Sequence, residues 1–165
     1  MNSTSLIRPV NTSDCKAIMD IYNHFVIHSH STFETIPVSE KEMQTRIDII
    51  KKEYPFFVFE NEDGVVAYAY ASRWKTRQAY DFTVESSIYV KPGFEGRKIG
   101  ITLYSKLIDE LRKTSIHSVL GGISLPNEAS ITLHEKLGFK HAGVLKEVGF
   151  KLGRWIDVAY LELLL

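Results

Sequence analysis

From Phe56 to Val90 the residues alternate in strand-like fashion. Phe56-Phe57-Val58-Phe59-Glu60 and Val65 to Ala71 are aromatic and β-branched stretches, and Asn61 to Gly64 between them supplies turn residues. The pairing predicts a β-hairpin. Thr83 to Val90 predicts a third strand of the same group, ended by Lys91-Pro92-Gly93.

On either side the period lengthens. Leu6 to Val10 reads as a short strand, and Asn11-Thr12-Ser13-Asp14 as a helix start whose side-chain oxygens accept from unpaired N–H groups. Cys15, Ile18, Ile21, Tyr22 and Phe25 recur at helical spacing. Ser29-His30-Ser31 and Thr35-Ile36-Pro37 break that pattern, and a second helix is expected from Ser39 to Lys51. After the third strand come a helix (Lys98 to Lys113), a strand (Ser118 to Leu125), a helix (Asn127 to Leu137) and strands at Lys140 to Phe150 and Trp155 to Leu163. Gly138 stands where a helix C-terminus favours glycine. The resulting order, β-α-α-β-β-β-α-β-α-β-β, predicts an α/β protein with a mixed sheet and helices on its faces.

No repeat or Pro/Gly-rich linker divides the chain, so residues 1–165 read as one domain. Lys plus Arg and Asp plus Glu are 20 each, so no overall field attracts nucleic acid or an anionic membrane, and an anionic ligand needs a local site. No apolar run approaches the ~20 residues that span a bilayer. Met1 to Ser5 are polar and Arg8-Pro9 stands where a secretory signal needs an apolar core, so a cytoplasmic location is expected. Cys15 is the one cysteine, which leaves no intrachain disulfide. His28 and His30 alternate without further ligands, and no metal is expected.

Two segments carry chemistry. In Val90-Lys91-Pro92-Gly93-Phe94-Glu95-Gly96-Arg97-Lys98-Ile99-Gly100-Ile101 a strand ends, a Gly- and Lys-rich turn follows, and a helix begins. Unpaired N–H groups and the positive dipole end at a helix start suit a pyrophosphate. An ordinary turn, with glycines serving only positive φ, fits equally. In the second, Asn127 opens a helix through Ser130, Leu133 and His134 to Gly138-Phe139. Asn127 is by itself an N-cap.

Together the two resemble the Gcn5-related (GNAT) acetyltransferases. Asn127, Ser130, Leu133, His134, Gly138 and Phe139 are similar to the Asn-x-x-(Ala/Ser)-x-x-Leu-(Tyr/His)-x-x-x-Gly-Phe pattern. Glu95 to Gly100 resembles the (Arg/Gln)-x-x-Gly-x-(Gly/Ala) acetyl-CoA loop. Tyr22-Asn23-His24, Ser31-Thr32-Phe33-Glu34, Tyr68-Ala69-Tyr70-Ala71, Trp74-Lys75-Thr76-Arg77, Ala79 to Val90 and Gly149 to Val158 are similar to the phosphinothricin and methionine sulfoximine/sulfone N-acetyltransferases, over nearly the whole chain. The resemblance implies a GNAT fold splayed into a V, with acetyl-CoA in the cleft, a small amine as acceptor and a homodimer.

It also implies roles. Acetyl-CoA falls to Ile88, Tyr89 and Val90 at the strand end, to Glu95, Gly96, Arg97, Lys98, Ile99, Gly100 and Ile101 in the loop, and to Asn127 and Ser130. The amine must be neutral to attack, and Glu85 in the family's Thr-x-Glu-Ser position is the expected base. Alternation puts Thr83, Glu85, Ser87 and Tyr89 on one strand face, where the plainer alternative is a solvated glutamate. His134 stands where much of the superfamily has the tyrosine that protonates the thiolate; a packed histidine is the alternative. Phe33, Lys75, Arg77, Tyr80 and Ser87 are expected to bind the acceptor, the cations suiting a carboxylate, although Trp74 to Arg77 also reads as a solvated loop. Two departures stand out: Glu95 replaces the loop's usual Arg or Gln, and Lys98 its first glycine. Rival readings keep the fold with a polyamine, aminoglycoside or protein N-terminus as acceptor, or make the chain a non-catalytic acyl-CoA-binding module.

Overall fold

The Asn11 side chain accepts from the Ser13 N–H at 3.0 Å while Asp14 accepts from the Asn11 N–H at 2.8 Å. This reciprocal cap opens the 3-10 turn that leads into the first helix. The computed structural model describes residues 5–165. Its strands are β1 (Leu6–Pro9), β2 (Phe56–Asn61), β3 (Gly64–Arg73), β4 (Thr83–Val90), β5 (Ser118–Ser124), β6 (Lys140–Lys151) and β7 (Arg154–Leu164). Its helices are α1 (Cys15–His28), α2 (Glu40–Glu53), α3 (Ile99–Leu111) and α4 (Glu128–Lys136), with 3-10 turns at Thr12–Asp14 and Gln78–Tyr80. The element order is the one expected from patterning.

One seven-stranded mixed sheet runs β1-β2-β3-β4-β5-β7-β6. Every neighbouring pair is antiparallel except β4 and β5. Those two pair in parallel over only three residues, Thr83↔Ser118, Val84↔Val119 and Glu85↔Leu120. Beyond Glu85 the strands part, and this parting is the V.

Alternation divides the core in two. Phe57, Phe59, Ala67, Ala69 and Val84 face α3 with Leu103, Tyr104 and Leu107. Phe56, Val58 and Tyr68 face α1 and α2 with Ile18, Val26 and Ile47. A sheet buried on both faces explains why β2 reads as a continuous apolar run. Gly138, at φ +91, turns the chain out of α4 without Cβ strain, as its position led us to expect. No helix among the described residues is long and apolar enough to cross a membrane.

Candidate active site

Two cavities meet in the opening between β4 and β5. The larger, about 960 Å³, runs along Ser86 to Val90, past the 94–101 turn and the start of α4. The smaller, about 320 Å³, is lined by Glu85, Phe33, His30, Tyr160 and apolar residues of β6 and β7. Ser31, Ser87, Tyr89, Gly122 and Ser124 border both. A bond exchanged between molecules in the two cavities would therefore be made beside Ser87 and Gly122.

The larger cavity gathers Ile88, Tyr89, Val90, Glu95, Gly96, Lys98, Ile99, Gly100, Ile101, Asn127 and Ser130; Arg97 does not line it. Arg97 turns back instead, its guanidinium 4.8 Å from the Phe94 ring and donating to the Gly93 carbonyl at 3.0 Å. Glu95 closes the same turn by accepting from the Gly93 N–H at 2.7 Å. The departure at Glu95 thus has a local function. Lys98 sits in the left-handed region at φ 64 as the N-cap of α3, a strained place for a residue with a Cβ. The first N–H groups of α3, which follow it, have no intrahelical acceptor. Donors at a helix start, an adjacent ammonium and a cleft of this size fit the pyrophosphate arm of acetyl-CoA. Asn127 accepts from the Ser130 N–H at 3.1 Å, so it caps α4 as well as lining the cleft.

Glu85 is the last β4 residue paired to β5. Among the described residues no donor reaches its carboxylate, and burial raises its pKa above 4.5, with Lys75 opposing. A carboxylate poised this way takes a proton more readily than a solvated one. The solvated-face alternative does not describe it.

His134 is only 4 % exposed. Its Nδ1 lies 2.7 Å from the Ser130 carbonyl and its Nε2 3.0 Å from the Tyr104 hydroxyl, which in turn lies 2.6 Å from Ser86 Oγ. The carbonyl can only accept, so Nδ1 carries the hydrogen and Nε2 accepts from Tyr104. Burial lowers the pKa of the ring, keeping it neutral. It lines the larger cavity but has no spare N–H to offer there, which favours the packed-histidine alternative.

Of the expected acceptor residues, Phe33 and Ser87 line the smaller cavity, whereas Lys75, Arg77 and Tyr80 do not. The latter three lie on the β3–β4 connection, where Trp74 packs edge-on against Tyr80 and Lys75 Nζ stands 5.1 Å from the Trp74 ring. Lys75 is close enough to Glu85 to oppose the rise in its pKa.

Sequence reasoning passed over Gly121, Gly122, Ser86, Tyr104 and Tyr160. A Cβ on Gly121 would collide with the His134 ring, and one on Gly122 would stand 2.8 Å from Glu85 Oε1 and 3.4 Å from the Tyr160 ring. Paired glycines inside an apolar strand were the available signal, since such glycines mark close approach. No group of three or more His, Cys, Asp or Glu residues placed to hold a metal occurs among the described residues.

The model of the acetyltransferase (GNAT) domain matches residues 7–160. The chain is 39% identical over 154 residues to the phosphinothricin N-acetyltransferase of Streptomyces viridochromogenes, covering 93% of this chain and 84% of that one. It is 36% identical over 158 residues to the L-methionine sulfoximine/L-methionine sulfone acetyltransferase of Salmonella typhimurium, covering 95% and 92%. Among solved structures, a phosphinothricin acetyltransferase from Sinorhizobium meliloti in complex with AcCoA superposes with a TM-score of 0.94 at 38% identity, covering all of this chain and 89% of that one.

Proposed function

The chain belongs to the GNAT acetyltransferase family, and from that premise we propose that it transfers the acetyl group of acetyl-CoA directly to the primary amine of a small amino-acid-like acceptor, of the phosphinothricin, methionine sulfoximine or methionine sulfone type, with Glu85 as general base. The observation that carries this reading is the position of Glu85. It stands in the smaller cavity at the parting of β4 and β5, beside the Ser87 and Gly122 border with the larger one.

Acetyl-CoA supplies an acyl group activated as a thioester. The 94–101 turn and the start of α3 would hold its phosphates, and Ile88 to Val90 would flank its arm. An α-ammonium is mostly protonated at neutral pH, and Glu85, its pKa raised by burial, takes one proton from it. Overall the nitrogen gives up two hydrogens; one goes to the sulfur and one to solvent through Glu85. Direct transfer is supported by the single cysteine: Cys15, the first residue of α1, is buried and lines neither cavity. His134 acts as a buried support of the cleft wall. On this reading Lys75 and Arg77, on the β3–β4 connection, attract the acceptor's carboxylate and the Tyr80 hydroxyl donates to it.

The homodimer implied by the resemblance is supported by the β6–β7 hairpin, which exposes Val144, Leu145, Val148, Phe150, Leu152 and Trp155. Cytoplasmic residence is part of the same reading.

An amine panel with detection of free CoA tests the proposal. The amino-acid analogues should be preferred by kcat/KM. A higher kcat/KM for spermidine or an aminoglycoside than for every amino-acid analogue would overturn it.

A further inference from the structure

Residues Ser29 to Glu34 bring His30 and Phe33 to the smaller cavity without forming helix or strand. Something else must fix them, because a loop with no ladder of its own loses conformational entropy for few bonds. Three ties do so. The Thr32 hydroxyl lies 2.8 Å from the Tyr22 hydroxyl, and His30 Nδ1 lies 3.1 Å from Ser124 Oγ. The third tie comes from the far end of the sheet: Lys151, the last residue of β6, donates from Nζ to the Thr32 carbonyl at 2.8 Å and the Phe25 carbonyl at 3.3 Å.

Lys151 is 4 % exposed and has no carboxylate within ion-pair distance among the described residues. Desolvation works against its charge, the Glu34 carboxylate beyond ion-pair distance partly offsets this, and the position of the ammonium is set by the acceptors that face it. Here both are backbone carbonyls, and Phe25 stands in the C-terminal turn of α1, where the helix presents its negative end. The cation therefore bridges a fixed helix end to the irregular segment that follows it.

Two residues earlier, on the same face of β6, stands Gly149. A Cβ there would lie 2.5 Å from the Phe33 ring. Lys151 holds the backbone of the segment, and Gly149 leaves the space its aromatic side chain occupies.

We propose that Lys151 and Gly149 are positioning residues for the acceptor. They seat the Ser29–Glu34 segment as one wall of the acceptor cavity and act through Phe33, so they set acceptor affinity far more than acetyl-CoA binding, which the segment meets only at Ser31. This rests on reading the smaller cavity as the acceptor side.

The test uses Lys151→Met, which keeps a long apolar stem, and Gly149→Ala, each against the unaltered full chain. Acceptor KM and kcat, the dissociation constant for acetyl-CoA, and hydrogen exchange of the amides of residues 30–34 are measured. Lys151→Met should raise acceptor KM about fivefold or more, with a much smaller change in kcat and in acetyl-CoA affinity, and should speed exchange at residues 30–34. Gly149→Ala, which displaces only the Phe33 ring, should raise acceptor KM without that faster exchange. A folded Lys151→Met with wild-type KM and exchange overturns the proposal, as does an equal loss of acetyl-CoA affinity. If Lys151→Met fails to fold, a wild-type KM in Gly149→Ala overturns it. Should the unaltered chain turn over no amine, the functional reading fails, while unchanged exchange in Lys151→Met would separately sink the clamp.

Discussion

Gly122 of β5 faces the Glu85 carboxylate with no side chain between them: a Cβ there would lie 2.8 Å from Oε1. The obstructed atom is the free end of a flexible side chain. Gly122→Ala should therefore fold normally while displacing the base. Displacements of this order cost about 10- to 100-fold in rate, so kcat should fall by that amount at unchanged melting temperature. Wild-type kcat in Gly122→Ala would mean that Glu85 works from some other position.

Gly121→Ala should behave in the opposite way. Its Cβ would stand 2.6 Å from Cδ2 of His134, a buried ring held at both nitrogens and packed in T-shaped contact with Tyr104 and Phe139. The ring has nowhere to swing, and overpacking of this kind costs about 1–3 kcal/mol. Thermal denaturation should show a drop of roughly 2–4 °C for each kcal/mol lost. An unchanged Tm would show that the ring is looser than its bonds imply.

Glu85→Gln separates catalysis from stability. As the general base its loss should lower kcat about 10²-fold or more at neutral pH, with acetyl-CoA affinity retained. Because Glu85 must be ionised, kcat/KM should rise with pH through an apparent pKa above that of an ordinary glutamate, and Glu85→Gln should lack that limb. The stability sign is the reverse. Burial raises the folded-state pKa above 4.5, so the folded chain holds the proton longer than the unfolded one and loses stability as pH rises from the unfolded value through the folded one. The neutral amide escapes that penalty, and Glu85→Gln should melt higher than wild type at pH 7. A lower Tm would require a hydrogen-bond donor to the carboxylate, and none reaches it among the described residues.

Tyr104→Phe tests the chain from Ser86 through Tyr104 to His134. It leaves Nε2 and Ser86 with one partner fewer, a loss worth about 1–3 kcal/mol of stability, while kcat should fall less than about tenfold. His134 has its pKa lowered by burial, so the unfolded chain binds its proton first. Stability should therefore fall as pH drops below the ordinary histidine value of about 6.5. A kcat loss of 10²-fold with unchanged Tm would instead make this chain a proton carrier to the thiolate.

Lys98→Gly removes a left-handed residue with a Cβ, relieving about 1 kcal/mol of strain, but frees the unfolded chain by a similar amount. Stability should hardly change. The lost ammonium beside the α3 N-terminus should weaken acetyl-CoA binding by at most about fivefold. Gly100 needs no positive φ, and a bare Cβ would meet Leu133, Val90 and Ile88 at 3.6 to 4.0 Å, which is ordinary contact. Intolerance there would come from filling the cofactor cleft. Gly100→Val should weaken binding more than Lys98→Gly, and calorimetric titration giving the reverse order would show that the phosphates lie elsewhere.

The element order was legible because it is written in local periods: alternation at Phe56 to Phe59, helical spacing from Cys15 to Phe25, a cap at Asn127 and a glycine after α4. The two faces of β4 followed from the same alternation, and the loop and helix motifs identified the family. What local pattern could not carry was depth. Residues in the expected acetyl-CoA set line one cleft, except Arg97, which turns onto Phe94. Glu85 differs from a solvated glutamate because β4 and β5 separate one residue later, a pairing between segments about thirty-five residues apart. His134 reads as a cleft histidine until Tyr104, on another helix, occupies its second nitrogen. Lys151 reads as a surface lysine until residues 25 and 32 turn their carbonyls toward it. The sequence by itself determined which segments became strands and helices and which face each side chain took, since those depend on neighbours a few residues away. Only the tertiary structure decided which of those side chains are desolvated and what they touch, because burial and pKa depend on the atoms that long-range packing brings within a few ångströms.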